Sequence, residues 1–200
     1  MGINRDAQKK TADQVLEPPV TYEMYAEWPD DGQRYEIVDG IMELMSPRPS
    51  TTHQAVSGEL AFIIKQSCRK DFLVFHAPID VVLSETTVVQ PDILMIHRSR
   101  EHIVTKRGIE GPPDLVIEIL SPSSHKRDKL VKRKAYAAHG VAEYWIIDTE
   151  ARTLEQYQLL EGGRYELNNL FECNDTVTSD KIPCIGFVIE DIFREVKDWE

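Results

Sequence analysis

With 200 residues, of which 42% are hydrophobic and 28% charged, the chain has globular composition and enough length to bury the core of one domain. Its net charge of −11 excludes a protein that coats nucleic acid by charge alone, because phosphate neutralisation needs clustered lysine and arginine. No apolar run approaches the roughly 20 residues of a membrane-spanning helix and the first residues lack the apolar centre of a secretory signal, so a cytoplasmic protein without membrane contact is expected.

Residues 1–17 are polar and aperiodic, which predicts a disordered lead-in to a single domain over residues 18–200. Thr21 is placed to cap a short helix over TYEMYAEW, ended by Pro29 and the DDG that follows. RYEIVDGIMELM holds two β-prone runs joined by Asp39-Gly40, the signature of a tight N-terminal hairpin. Val56, Leu60, Ile63 and Ile64 then recur at helical spacing. His53, at the start of that helix, either reaches a cleft, caps the helix end or stands in solvent.

FLVFHAPIDVVLSE, VVQPDILMIHR and DLVIEILS are rich in Val, Ile and Leu and read as consecutive strands. SPSSHKRDKLVKRKAYAAHG predicts a helix over residues 124–139 with Gly140 as its stop. EYWIID follows as a buried strand, its Tyr144 and Trp145 placed in the core. LEQYQLLEGGRYELNNL predicts a C-terminal hairpin around Gly162-Gly163, and GFVIEDIF is the last apolar piece. Cys68, Cys173 and Cys184 are odd in number and far apart, so they are expected to be buried thiols or surface bystanders, not a disulfide or zinc framework.

Three acidic residues stand out. DLVIEILS is near-continuously apolar, as in a strand covered on both faces, except for Glu118, which shares a face with Val116 and Leu120. An ionised carboxylate there costs several kcal/mol unless a cation or hydrogen-bond donors compensate it. Asp92 repeats the problem in PDILMI, on a face continued by Leu94 and Ile96, and Pro91 before it marks an edge, a strand start or a bulge. If Asp39-Gly40 forms a two-residue turn, Glu36 lies opposite Glu43, an unfavourable like-charge pair that a nearby cation would relieve. Oxygen donors of this kind suit Mg²⁺ or Mn²⁺.

The charge is uneven. Residues 97–134 carry ten Lys and Arg against five Asp and Glu, which leaves −16 on the rest of the chain. This basic stretch is either a focused positive site or a solvated face. Asp128, Lys132 and Tyr136, spaced i, i+4, i+8, share one helix face. Lys132 thus either points at the acidic groups or pairs with Asp128 in solvent.

Pro91-Asp92, Glu118 in an apolar strand 26 residues later and a basic helix together resemble the PD-(D/E)XK nuclease superfamily. RYEIVDG, PDILMI, PDLVIEILSPSS and DKLVKRKAYAAHGVAEYWIID are similar to a large bacterial group of candidate endonucleases abundant in cyanobacteria. The resemblance implies an α/β fold of the restriction-endonuclease-like type, a mixed central sheet flanked by helices, to which the N-terminal and C-terminal hairpins are additions. It further implies that Asp92 and Glu118 ligate the metal and that Glu36 adds an acidic group. The superfamily's lysine position, two residues after Glu118, is Leu120 here, and Lys132 matches the position from which the resembled group draws its lysine instead.

The expected function is a magnesium-dependent endonuclease acting on DNA. Lys126, Arg127, Lys129 and Arg133 would contact phosphates, and a homodimer would serve two-strand cleavage. The alternatives are a nucleic-acid-binding protein that keeps the scaffold without cutting, motivated by Leu120, or a metal-dependent hydrolase of another phosphate ester.

Overall fold

The computed structural model describes residues 18–29, 31–45, 48–121 and 127–196. The Thr21 hydroxyl accepts a hydrogen bond from the Met24 amide at 3.3 Å and opens α1 (Tyr22–Ala26), shorter than the predicted helix. The first hairpin, β1 (Tyr35–Val38) and β2 (Ile41–Leu44), has the expected register, Val38 opposite Ile41 and Glu36 opposite Glu43. Asp39 (φ 51°) and Gly40 (φ 79°) both take the left-handed conformation, as a turn matched to strand twist requires.

The helix predicted next is α2 (Thr51–Cys68), with Val56, Leu60, Ile64 and Cys68 forming its buried stripe. Its N-cap is Ser50, whose side chain accepts from the His53 amide at 3.1 Å, so His53 itself is not the cap.

Two segments read as single strands are each divided at a proline, which has no N–H to continue a ladder. FLVFHAPIDVVLSE becomes β3 (Phe72–His76) and β4 (Val81–Ser84) on either side of Pro78, and VVQPDILMIHR becomes β5 (Thr87–Val89) and β6 (Ile93–His97) on either side of Pro91. β7 (Ile109–Glu110) and β8 (Leu115–Ile119) follow. Of the helix predicted over residues 124–139, residues 124–126 lie outside the described chain. The rest is a wide i→i+5 helix over Arg127–Lys132 that tightens into α3 (Arg133–Ala138), with Gly140 (φ 81°) after it. The remaining strands are β9 (Glu143–Asp148), β10 (Thr153–Leu160), β11 (Arg164–Glu172), β12 (Thr176–Thr178) and β13 (Gly186–Val188).

A six-stranded sheet, β11-β10-β9-β8-β6-β3, forms the centre of the fold. It is mixed because β8 and β9 run parallel while the other neighbours are antiparallel. Ile93, Met95, Ile117 and Trp145 face α2 and the C-terminal turn Ile189–Phe193. Leu94, Val116, Tyr144 and Ile146 face the opposite way, toward a second sheet, β2-β1-β5-β4-β7, and toward Ala135 and Tyr136 of α3. The N-terminal hairpin thus supplies two of the five strands of the second sheet, and the β10–β11 hairpin extends the central sheet itself.

The cysteine expectation is corrected: Cys68 at the end of α2 is disulfide-bonded to Cys184, and Cys173 is an exposed free thiol. The two bonded residues are 116 positions apart with Cα atoms 5.2 Å from each other, a proximity that only the packing of the C-terminal segment against α2 creates. Among the described residues no helix is long and apolar enough to cross a membrane.

Candidate active site

The antiparallel register of β6 and β8 pairs Ile93 with Ile117 and Leu94 with Val116. One step further along, the same register sets Asp92 across from Glu118. Both belong to the face that Leu94 and Val116 present to the second sheet, since side chains alternate along each strand. Pro91 ends the preceding segment, and Asp92 stands immediately before β6.

Both Asp92 oxygens are held. The His53 Nε2 lies 3.1 Å from Oδ1, and the Ile119 backbone N–H donates to Oδ2 at 2.7 Å. His53 therefore reaches the cleft, the reading that its position in the sequence left open. Glu118 Oε1 accepts from Lys132 Nζ at 3.0 Å and from the Tyr136 hydroxyl at 2.7 Å. The same ammonium lies 2.9 Å from Glu36 Oε1 and 3.5 Å from Asp128 Oδ1. A second donor to Glu36 Oε1, the Gln90 backbone N–H at 2.8 Å, comes from the end of β5.

Three carboxylates and one ammonium are enclosed here: Glu36, Glu118, Asp128 and Lys132 are 1%, 3%, 2% and 4% exposed. Burial opposes the charge on Lys132, but the carboxylates of Glu118, Glu36 and Asp128 outweigh it and hold the ammonium well above the ordinary lysine value. Burial pushes Glu118 well above the usual glutamate range. Lys132 pulls it back, while the negative charges of Asp128, Asp92 and Glu36 add to the rise. Fully ionised, the three carboxylates and the one ammonium would carry a net charge of −2, and the oxygens that surround Lys132 are hard carboxylate donors.

Glu36, Asp92, Glu118 and Lys132, the four residues expected at the centre, come together from β1, the start of β6, β8 and the wide helix. Lys132 is paired with Asp128, but buried among carboxylates, not exposed. Leu120 is buried in the same apolar face, so the ammonium arrives from the helix and not from the strand.

The expected phosphate contacts fare differently. Lys129 pairs with Glu155 at 2.7 Å, and Arg133 lies over the Tyr157 ring at 5.1 Å. Lys126 lies outside the described residues, as does the side chain of Arg127. Tyr144 and Trp145 are wholly buried, as core residues. Sequence reasoning assigned no role to the Tyr136 hydroxyl, although its i+4 spacing from Lys132 was the available signal. Nothing in the sequence marked the Gln90 amide.

Among curated proteins, none matches this chain. In fold it is similar to a solved structure, a putative nuclease belonging to DUF820 from Anabaena variabilis ATCC 29413, with a TM-score of 0.71 and 21% identity over 88% of this chain and 98% of that one. A family model described as putative restriction endonuclease, Uma2, matches residues 22–189, a span that contains β1, β6, β8 and the wide helix together. The chain belongs to that family.

Proposed function

We propose that this protein is a metal-dependent endonuclease that hydrolyses phosphodiester bonds in DNA. The observation that carries the reading is the Lys132 ammonium seated between Glu36 and Glu118, on the sheet face where Asp92 also lies. A nuclease needs paired carboxylates to hold a hard cation and a permanent positive group beside the phosphate.

Among the described residues no three His, Cys, Asp or Glu groups converge at ligand spacing. Two carboxylates suffice for Mg²⁺ or Mn²⁺, which fill their remaining positions with water and substrate phosphate. Asp92 and Glu118 fit that role by donor chemistry and by register, and a divalent ion would supply the positive charge that the cluster lacks. When bound, the ion supplies Lewis acidity for the attacking water and positive charge against the phosphate.

The side chains do the rest. Lys132, held protonated by its carboxylates, cannot act as a base and instead donates to a phosphate or leaving oxygen. Glu36 anchors Lys132, Tyr136 orients Glu118, and His53 with the Ile119 N–H fixes the Asp92 carboxylate. DNA is the proposed partner, and a symmetric pair of chains would place two such sites for cleavage of both strands.

Incubating the purified chain with supercoiled and linear DNA in Mg²⁺, Mn²⁺ or chelator tests the proposal. Cutting that requires the metal and disappears in Asp92→Ala and Glu118→Ala is expected. Retardation without cutting would favour a binding protein on a nuclease scaffold, and cutting that survives both substitutions would reject this site.

A further inference from the structure

Away from the carboxylate cluster, at the β3 edge of the central sheet, an open pocket of about 490 Å³ lies between α2 and β3. Phe62, Lys65 and Arg69 line it from α2, where their i, i+3, i+7 spacing puts them on one face, and Arg98 joins them from the residue after β6. Phe72 and Leu73 of β3 supply apolar floor. None of the lining residues is acidic, although the chain carries a net charge of −11. Two of the three cations come from α2, outside the basic stretch of the sequence.

These charges are not cancelled within the chain. Arg98 donates through Nε and Nη2 to the Arg69 carbonyl at 3.1 and 2.8 Å, a neutral partner that fixes the guanidinium and leaves its charge. Among the described residues, Lys65, Arg69 and Arg98 take part in no ion pair. The Phe62 side chain beside them is 57% exposed, so its ring stands open to a partner. Cations around an open aromatic ring match single-stranded nucleic acid, whose unstacked base can lie on the ring while the flanking phosphates meet the cations. A duplex keeps its bases stacked on one another and would use the cations alone. The same helix connects the pocket to the cleft. His53 in its first turn contacts Asp92, and Arg69 follows His53 by sixteen residues, about 24 Å at the helical rise. We infer that this pocket holds a single strand of nucleic acid at a site separate from the cleft, so that a substrate strand leaving the cleft along α2 is gripped a second time. The inference takes its partner from the nuclease reading above.

The test is fluorescence anisotropy of the full chain, in chelator, with labelled oligo-dT, a labelled duplex of the same length and a labelled oligo-glutamate peptide. Oligo-dT is expected to bind more tightly than either of the others. Phe62→Ala should weaken oligo-dT by about tenfold and leave the duplex unchanged, and Phe62→Tyr should keep the native affinity. Lys65→Ala should weaken both nucleic acids and reduce the slope of log affinity against log salt for oligo-dT by about 0.7. Both side chains are exposed, so these substitutions leave the core intact.

No binding of oligo-dT, binding that Phe62→Ala leaves unchanged, or oligo-glutamate bound as tightly as oligo-dT would overturn the site. Metal-dependent cutting of supercoiled DNA is measured on the same preparations. Cutting without the Phe62-dependent affinity rejects the pocket alone; that affinity in a native chain that never cuts rejects the nuclease reading alone.

Discussion

Lys132 shows how much a single residue's spacing can reveal. Its i+4 relation to Asp128 and Tyr136 placed it on the right helix face, and the anomaly of Glu118 in an apolar strand indicated what that face would meet. Whether Lys132 would point inward or out to solvent was not decided by spacing, since both geometries satisfy it. Burial decides it, because three carboxylates out of water require a cation. Lys132→Ala is therefore expected to lower turnover by about 100-fold or more while leaving Mn²⁺ affinity nearly unchanged, measured by single-turnover cleavage and calorimetric titration. Unchanged turnover would remove Lys132 from the mechanism. His53 is the opposite case, a residue 39 positions from its partner whose contact depends on how α2 sits over the start of β6. Because it helps orient a proposed metal ligand, His53→Ala should weaken Mn²⁺ binding by about 10–100-fold, read by the same titration. Equal affinity would mean that the Ile119 N–H holds Asp92 unaided.

At the scale of elements, the alternation of side chains made the β1–β2 register legible and the face that Asp92 and Glu118 each take on its own strand, while the coincidence of those two faces comes from the β6–β8 register. Which sheet each strand joins was not legible. Pro78 and Pro91 each let the chain pass from one sheet to the other, and a proline in a β-prone run signals a break without telling where the next strand goes. The Cys68–Cys184 bond was hidden for a related reason: its closeness belongs to the packing of the C-terminal segment on α2.

That segment is also held by Glu143 in β9, which accepts hydrogen bonds from Trp145 (2.6 Å), Gln156 of β10 (2.8 Å) and Ser179 beyond β12 (2.7 Å). Burial raises the Glu143 carboxyl, against the hydrogen bonds from Ser179, Trp145 and Gln156 that lower it. The folded chain therefore binds this proton more tightly than the unfolded chain, so the contribution of Glu143 to stability is fully present below the ordinary glutamate value and is lost as pH rises through the raised one. Glu143→Gln should flatten that part of the pH dependence in urea unfolding. Glu143→Leu should cost about 1–3 kcal/mol for each buried donor it leaves unmatched. A pH profile identical in Glu143→Gln and the native chain would contradict this assignment.

Seen whole, the described part of the basic stretch is not gathered into a focused positive site, one of the two readings that the sequence left open. Arg98 donates to the Arg69 carbonyl, Arg100 pairs with Asp114 at 2.9 Å, Lys129 pairs with Glu155, and Lys132 is buried. Contiguity in sequence became dispersion in space because these residues fall on different strands and turns, and several are neutralised within the chain. What is concentrated is negative charge around one ammonium, between the central sheet and the sheet that packs on it. There, under the proposed function, Asp92 and Glu118 grip a divalent ion. Crystals soaked in Mn²⁺ and measured at an energy where manganese scatters anomalously test it most directly. An anomalous peak within coordination distance of both carboxylates, lost in Asp92→Ala, is expected; no peak there, in crystals of a chain that still cuts DNA with Mn²⁺, would mean that these two groups do not hold the ion.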